Sequence, residues 1–295
     1  MYKILKAKNL TDSIFEMEIL APWVARKCLP GQFVILRTDE KGERIPLTIS
    51  DYDRTKGSIS IVFQVVGAST LKLSRLLEGD YVYDFVGPLG NPSEIIKNFS
   101  EFKNKNIIFI AGGVGAAPIY PQVKWLSENG LKGDVIIGAR TKDLLILTEQ
   151  IKSVCNNIYI ATDDGSFGLH GRVTDMLTNL VEQGKKYDLC VAIGPVIMMK
   201  FVSMLTKTLK IPTIVSMNPI MVDGTGMCGA CRITVGSEVK FACVDGPEFD
   251  GHKVDFDEAM QRQKLYKTFE GRAYLKEKEG DTHHGGCGFC GGEND

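Results

Sequence analysis

The chain's 295 residues allow about two domains with separate cores, and 35 basic against 36 acidic side chains give a formal charge of −1. That balance excludes the cationic footprint of a nucleic-acid binder. Charges run through the first 20 residues, and the longest apolar stretch, 107–119, is glycine-broken and contains Pro118, so neither a signal peptide nor a membrane span is expected. The chain reads as soluble and cytoplasmic. Eight cysteines in such a chain point to metal or redox chemistry rather than to a disulfide frame.

Residues 1–99 read as β. Short alternating or β-branched runs (Ile14–Ile19, Gln32–Arg37, Ile45–Ser50, Ser58–Gln64, Asp80–Val86) lie between turns such as Leu29-Pro30-Gly31. With one short helix at Leu71–Leu77, they predict a small antiparallel barrel. From residue 100 to 218 the rhythm changes. IIFIAGG, VIIGAR, IYIATDDG, CVAIGP and TIVS are continuous apolar runs of the buried-strand kind. Helical stretches at Pro118–Asn129, Leu144–Val154, Val173–Gln183 and Val196–Thr208 separate them, which predicts a doubly wound parallel sheet. A Gly- and Cys-rich segment, 219–250, follows. The extension 251–295 holds a charged stretch of helical character, Phe256–Lys278, and ends in HHGGCGFCGGEND.

Arg44-Ile45-Pro46-Leu47-Thr48 ends one strand, and Val62-Phe63-Gln64 leads another into Gly67-Ala68-Ser69-Thr70, with Gly87-Pro88-Leu89-Gly90-Asn91 further on. An R-x-P-[FL]-[ST] strand end, a V-G-x-[GS]-T turn and G-P-L-G-N on a barrel resemble the flavin domain of the ferredoxin–NADP reductase superfamily. The resemblance implies FAD, with Arg44 as a fixed cation for the diphosphate and Ser69-Thr70 as backbone donors. It also places the Thr48 hydroxyl near the reactive flavin nitrogen, and Val62, Phe63 and Gln64 beside the flavin. Pro46-Leu47 stands where many members carry a stacking tyrosine, the form of dihydroorotate dehydrogenase electron-transfer subunits. Read alone, Arg44 is a surface charge and Pro46 an ordinary edge proline.

Ala111-Gly112-Gly113-Val114-Gly115-Ala116-Ala117-Pro118 follows a buried strand and opens a helix, a turn that lets a pyrophosphate approach the backbone. Pro118 replaces the third fingerprint glycine, and the second strand ends in Ala139-Arg140 without a ribose-binding acid. Both features disfavour a plain Rossmann dehydrogenase and match the same superfamily. Thr162-Asp163 and Gly194-Pro195 with Met198 end two further strands, where ligands bind in open sheets. Ile193 stands where the family often carries a cysteine. NAD(H) is expected ahead of NADP(H): Arg140 suits a 2′-phosphate, whereas Asp143 and the family likeness favour NADH.

Asp223-x4-Cys228-x2-Cys231-x11-Cys243 follows the plant-type C-x4-C-x2-C…C spacing with aspartate in the first place, which predicts a [2Fe-2S] cluster. Glycines between the ligand candidates suit a chain wrapped around sulfides. Structural zinc fits less well because zinc sites generally use two C-x2-C pairs. Asp245 is an alternative to Asp223. Barrel, nicotinamide sheet and cluster segment together resemble the dihydroorotate dehydrogenase electron-transfer subunit. DGTGMCGACR and FACVDGPEFDGHKVDF look more like the small subunit of NADH-dependent reduced ferredoxin:NADP oxidoreductase and its sulfide dehydrogenase relative. That likeness implies an electron-transfer oxidoreductase subunit in a heterodimer or larger assembly, with a larger partner holding flavin and [4Fe-4S] clusters and hosting any electron bifurcation. Nucleic acid and membrane are not expected partners. The rivals are an electron-transfer subunit of NAD-dependent dihydroorotate dehydrogenase and a non-catalytic zinc-stabilised binding protein. Cys287 and Cys290 read as a metal or thiol pair or as part of a flexible tail, and Cys28, Cys155 and Cys190 as buried thiols.

Overall fold

The computed structural model describes residues 1–280. Its first part is a seven-stranded antiparallel sheet: β1 (Tyr2–Asn9), β2 (Ile14–Leu20), β3 (Phe33–Arg37), β4 (Ile45–Asp53), β5 (Ser58–Gln64), β6 (Tyr81–Val82) and β7 (Asp84–Leu89). The strands run in the order β6-β1-β2-β5-β4-β3-β7. The two edge strands are separated in sequence by Tyr83 alone, so the sheet curls until its edges meet and forms a nearly closed barrel. Inward residues such as Ile4, Ile19, Leu36, Ile49, Ile61 and Phe63 fill it.

Strand β1 is absent from the elements expected above. Only Ile4 of its eight residues is buried and its lysines face solvent, so no period-two signal survives. Helices α1 (Pro22–Lys27) and α2 (Ala68–Ser74) interrupt the barrel, α2 three residues earlier than predicted. Two one-turn helices, α3 (Glu94–Lys97) and α4 (Phe99–Phe102), lead out of it.

The second part is a sheet of β8 (Ile107–Gly112), β9 (Asp134–Ala139), β10 (Ile158–Thr162), β11 (Leu169–His170), β12 (Leu189–Ile193) and β13 (Thr213–Ser216), all parallel. Helices α5 (Ala116–Glu128), α6 (Thr148–Val154), α7 (Val173–Glu182) and α8 (Val196–Thr208) cover its two faces. On β8, Ile107, Phe109 and Ala111 enter one core while Ile108 and Ile110 enter the other. A strand buried on both faces has no polar side, which is why these runs are continuously apolar. The helix expected from Leu144 starts at Thr148, because Leu147 takes φ 55° and breaks the helical path.

Strand order reverses between β8 and β12, so their carboxyl ends diverge into a crevice. The Cys-rich segment adds a hairpin, β14 (Arg232–Val235) with β15 (Glu238–Phe241), and a strand β16 (Glu248–Asp250) antiparallel to β13. Cys231, Ile233 and Cys243 join Phe33 and Ile35 of the barrel and Ile108 of the sheet in one core. The charged stretch forms two helices, α9 (Phe256–Arg262), capped by the Asp255 carboxylate on the Glu258 N–H, and α10 (Lys267–Glu279). Helix α10 returns to the barrel, where Glu277 bonds Arg75 of the chain just past α2. Among the described residues no helix is long and apolar enough to cross a membrane.

Candidate functional site

A cavity of about 900 Å³ opens between the barrel and the carboxyl ends of the parallel strands. Ile45, Pro46, Leu47 and Thr48 reach it because β4 pairs with β3 in a register that sets Pro46 against Ile35 and Thr48 against Phe33. Val62, Phe63, Gln64 and Thr70 complete the barrel wall. The Thr48 hydroxyl has no protein hydrogen-bond partner among the described residues, which leaves it for a ligand. Thr70 is half structural, since its hydroxyl accepts the N–H groups of Val66 and Gly67 at 3.0 and 3.1 Å and holds that turn.

The opposite wall carries Gly113, Val114, Gly115, Ala139, Arg140, Asp163, Gly194, Pro195 and Met198. They come from four different strand ends, which the crevice gathers. Gly115 is required by space: a Cβ there would fall inside the shell of the Ile193 carbonyl oxygen, so the loop and the end of β12 approach backbone to backbone. Four expected residues do not line the cavity. Arg44 turns its Nη2 to the Asp223 carbonyl at 3.5 Å, Ser69 bonds the Glu43 carboxylate, and Gly67 sits in the turn that Thr70 holds. Thr162 is fully buried, its hydroxyl donating to Phe167 O at 2.8 Å and shaping the loop that presents Asp163.

Several lining residues go unread in the sequence: Arg172 before α7, Phe201 on α8, Met217 and Asn218 after β13, Met221, and Pro247. Asn218 stands just past the carboxyl end of the fifth apolar run, so the strand-end rule applied once more would find it. Pro247 carries no such signal. It arrives only because β16 pairs with β13, and Met217 N–H donates to its carbonyl at 2.9 Å.

The candidate cluster loop lies on the barrel side of the shared core. Cys231 and Cys243, each 2% exposed, bring their thiols to 3.3 Å across the β14–β15 hairpin, and Cys228 is exposed. Burial, then the Cys231 thiol beside it, pushes the Cys243 thiol well above its usual range, so loading iron there displaces protons. Asp223 accepts the Thr225 N–H at 2.9 Å and the Cys228 N–H at 2.7 Å, which hold its carboxylate below the ordinary range. Asp245 is engaged elsewhere, accepting the Phe241 N–H at 2.6 Å.

The loop turns through left-handed backbone at Gly224, Gly226 and Gly229, and a Cβ on Gly224 would meet Ile35 Cδ1 at 2.6 Å. No three His, Cys, Asp or Glu side chains among the described residues stand together as a finished metal shell. The donor chemistry nevertheless fits an iron–sulfur cluster: two adjoining buried thiols, an exposed third, and a left-handed glycine loop that carries the Asp223 carboxylate beside them. The tail pair Cys287 and Cys290 lies outside the described residues, whereas Cys28, Cys155 and Cys190 are buried free thiols as expected.

Thr48→Ala is expected to leave flavin absorbance bound to the protein while slowing flavin reduction at saturating NADH. Loss of one donor to a reacting centre costs about 1–3 kcal/mol. A rate equal to wild type would remove Thr48 from the chemistry.

Residues 218–255 match the family model of the iron-sulfur cluster binding domain of dihydroorotate dehydrogenase B. The Clostridium beijerinckii protein of the adh 3′ region is 63% identical over 294 residues, 99% of each chain. A Thermotoga maritima protein described as a dihydroorotate dehydrogenase B (NAD(+)) electron transfer subunit homolog is 47% identical over 272 residues, 92% of this chain and 94% of its own. A chain from the NADH-dependent reduced ferredoxin-NADP oxidoreductase structure, solved for insight into flavin-based electron bifurcation, superimposes with a TM-score of 0.87. It is 45% identical, over 94% of this chain and 97% of that one. With a barrel, a nicotinamide-type sheet and a cluster loop joined in one core, this chain belongs to the dihydroorotate dehydrogenase B electron-transfer subunit family.

Proposed function

We propose that this oxidoreductase subunit takes reducing equivalents from NADH and passes them to a larger partner subunit, with FAD and a [2Fe-2S] cluster as its own redox groups. When bound, the flavin exchanges hydride with nicotinamide and the cluster relays single electrons; the chain's side chains supply position and electrostatics. The observation that carries this reading is one cavity whose walls come from the barrel, from the dinucleotide loop and, through Met221 and Pro247, from the segment holding the cluster loop. Pro46 to Thr48 and Val62 to Gln64 are suited to hold the flavin ring. Gly113 to Gly115 offer a backbone approach for a dinucleotide, with Arg140 and Asp163 at its edges. Arg44, bridging toward Asp223, is suited to neutralise a phosphate where barrel and cluster loop meet. Asp223, Cys228, Cys231 and Cys243 are the proposed cluster ligands.

The match to the ferredoxin-NADP oxidoreductase structure supports a place in an electron-bifurcating assembly; the sequence likeness implies a heterodimer whose partner carries its own flavin and [4Fe-4S] clusters. The family model and the Thermotoga relative support a second reading, in which the partner is a dihydroorotate dehydrogenase. Co-purification identifies the partner and separates the two. In the purified complex NADH is expected to bleach flavin and cluster bands at lower concentration than NADPH. A preference for NADPH would make Arg140 the reader of a 2′-phosphate, and a colourless complex would leave the zinc-stabilised binding protein.

A further inference from the structure

One carboxylate touches all three parts of the chain. Glu248 opens β16, a short step along the chain from Cys243, and pairs with Ser216 at the end of β13. Its Oε2 accepts the Glu94 N–H at 3.0 Å and meets Ser93 Oγ at 3.0 Å, while Oε1 accepts from Gln122 Nε2 at 2.9 Å. Ser93 Oγ lies 3.2 Å from Gln122 Oε1, which closes a ring of three side chains. Ser93 and Gln122 are 0% and 1% exposed, so neither has water as an alternative partner.

Each member is fixed to a different body. Ser93 N–H donates to Pro30 O at 2.8 Å in the turn that feeds β3. Gln122 sits in α5, the helix that the dinucleotide loop opens. Glu248 follows Gly246 and Pro247; Gly246 O accepts the Asn91 N–H at 2.7 Å, and Asn91 Nδ2 donates to Val244 O at 2.8 Å. The run from Cys243 to Glu248 is thus tied to the barrel's G-P-L-G-N turn at its start and to the ring at its end. Burial holds the Glu248 carboxyl above the usual range, with the Glu94 N–H, Ser93 and Gln122 pulling the other way. An apolar side chain would avoid that desolvation, but only directional bonds select one relative placement of three bodies.

We propose that Glu248 is a positioning residue that, with Ser93 and Gln122, clasps the cluster segment to the barrel and the dinucleotide domain and so fixes the separation between flavin and cluster. The inference rests on the reading that electrons leave the flavin through that cluster. Glu248→Ala frees three donors at once and loosens the run back to Cys243. Glu248→Gln keeps the ring: its new amide oxygen takes the Glu94 N–H and the Ser93 hydroxyl. Its amino group meets Gln122 Oε1 once the Gln122 amide turns over and donates to Ser93 Oγ.

The test mixes NADH rapidly with the fully loaded complex and follows flavin and cluster bleaching separately, alongside amide hydrogen exchange of the loaded protein. Glu248→Ala is expected to keep flavin and iron content and the KM for NADH while slowing cluster bleaching by about tenfold or more, the scale of small misplacements. Amides of residues 244–250 and of Glu94 should lose protection in it, and Glu248→Gln should restore both readouts. Cluster bleaching and exchange in Glu248→Ala that match wild type overturn the clasp. So does a Glu248→Gln variant as slow as Glu248→Ala, because the ring would then not be the cause. A wild-type cluster that NADH never bleaches overturns instead the electron-transfer reading beneath it.

Discussion

Cys231→Ala is expected to abolish the visible absorbance and reduced-state EPR signal of a [2Fe-2S] cluster, with iron content falling to background. Its thiol is buried 3.3 Å from that of Cys243 in a core shared with Phe33 and Ile35, so no other side chain can swing in to replace it. Cys228→Ala is expected to follow, since the loop then offers two thiolates and one carboxylate to two irons. Asp223 should behave differently. It is half-buried, and its carboxylate already bonds the Thr225 and Cys228 N–H groups. Asp223→Cys completes the four-thiolate pattern and is expected to keep the cluster. Its midpoint potential should shift, because ligand identity and net cluster charge set it. Asp223→Ala should leave iron loosely held. Identical signals and midpoints in both Asp223 variants would exclude it as a ligand and move attention to Asp245, whose carboxylate would first have to leave the Phe241 N–H.

The second large effect is expected at Gly115. Alanine there sets a methyl group against the Ile193 carbonyl and close to Gly194 Cα at 3.0 Å, both backbone atoms of the β12 end. Neither can rotate away, so the loop opening α5 or the last residues of β12 must shift. Overpacking of this kind costs about 1–3 kcal/mol of stability. Because both backbones line the cavity wall proposed to take the dinucleotide, Gly115→Ala should also raise the KM for NADH by about tenfold or more, the scale of a small misplacement of a binding group. Flavin content should not change, since the barrel wall is made by β4, β5 and α2. Thermal melting with steady-state kinetics reads both effects. A wild-type KM in a variant with lowered melting temperature would take the loop out of the nucleotide site.

The sequence by itself determined the strand–helix alternation of residues 107–216, the barrel's turns and the spacing of the candidate cluster ligands. Those are local signals: period, turn chemistry and intervals along the chain. Helix α8 was legible to both its ends, Val196 and Thr208, because Pro195 fixes its start and its inward positions repeat with helical period. Strand β1 was not, because a strand with one buried residue and solvent-facing lysines carries no pattern. The four strand ends of the cavity were found one at a time from glycine loops, but their meeting depends on strand order, which periodicity does not encode. Arg44 shows the limit most plainly. Its motif suggested a phosphate cation on the barrel, and only the tertiary structure brings its guanidinium to the Asp223 carbonyl, 179 residues away in sequence. The Ser93–Gln122–Glu248 ring lay outside any motif for the same reason. Its members are common polar residues on three separate elements, and only the meeting of buried Ser93 and Gln122 with half-buried Glu248 at one junction gives them a shared role.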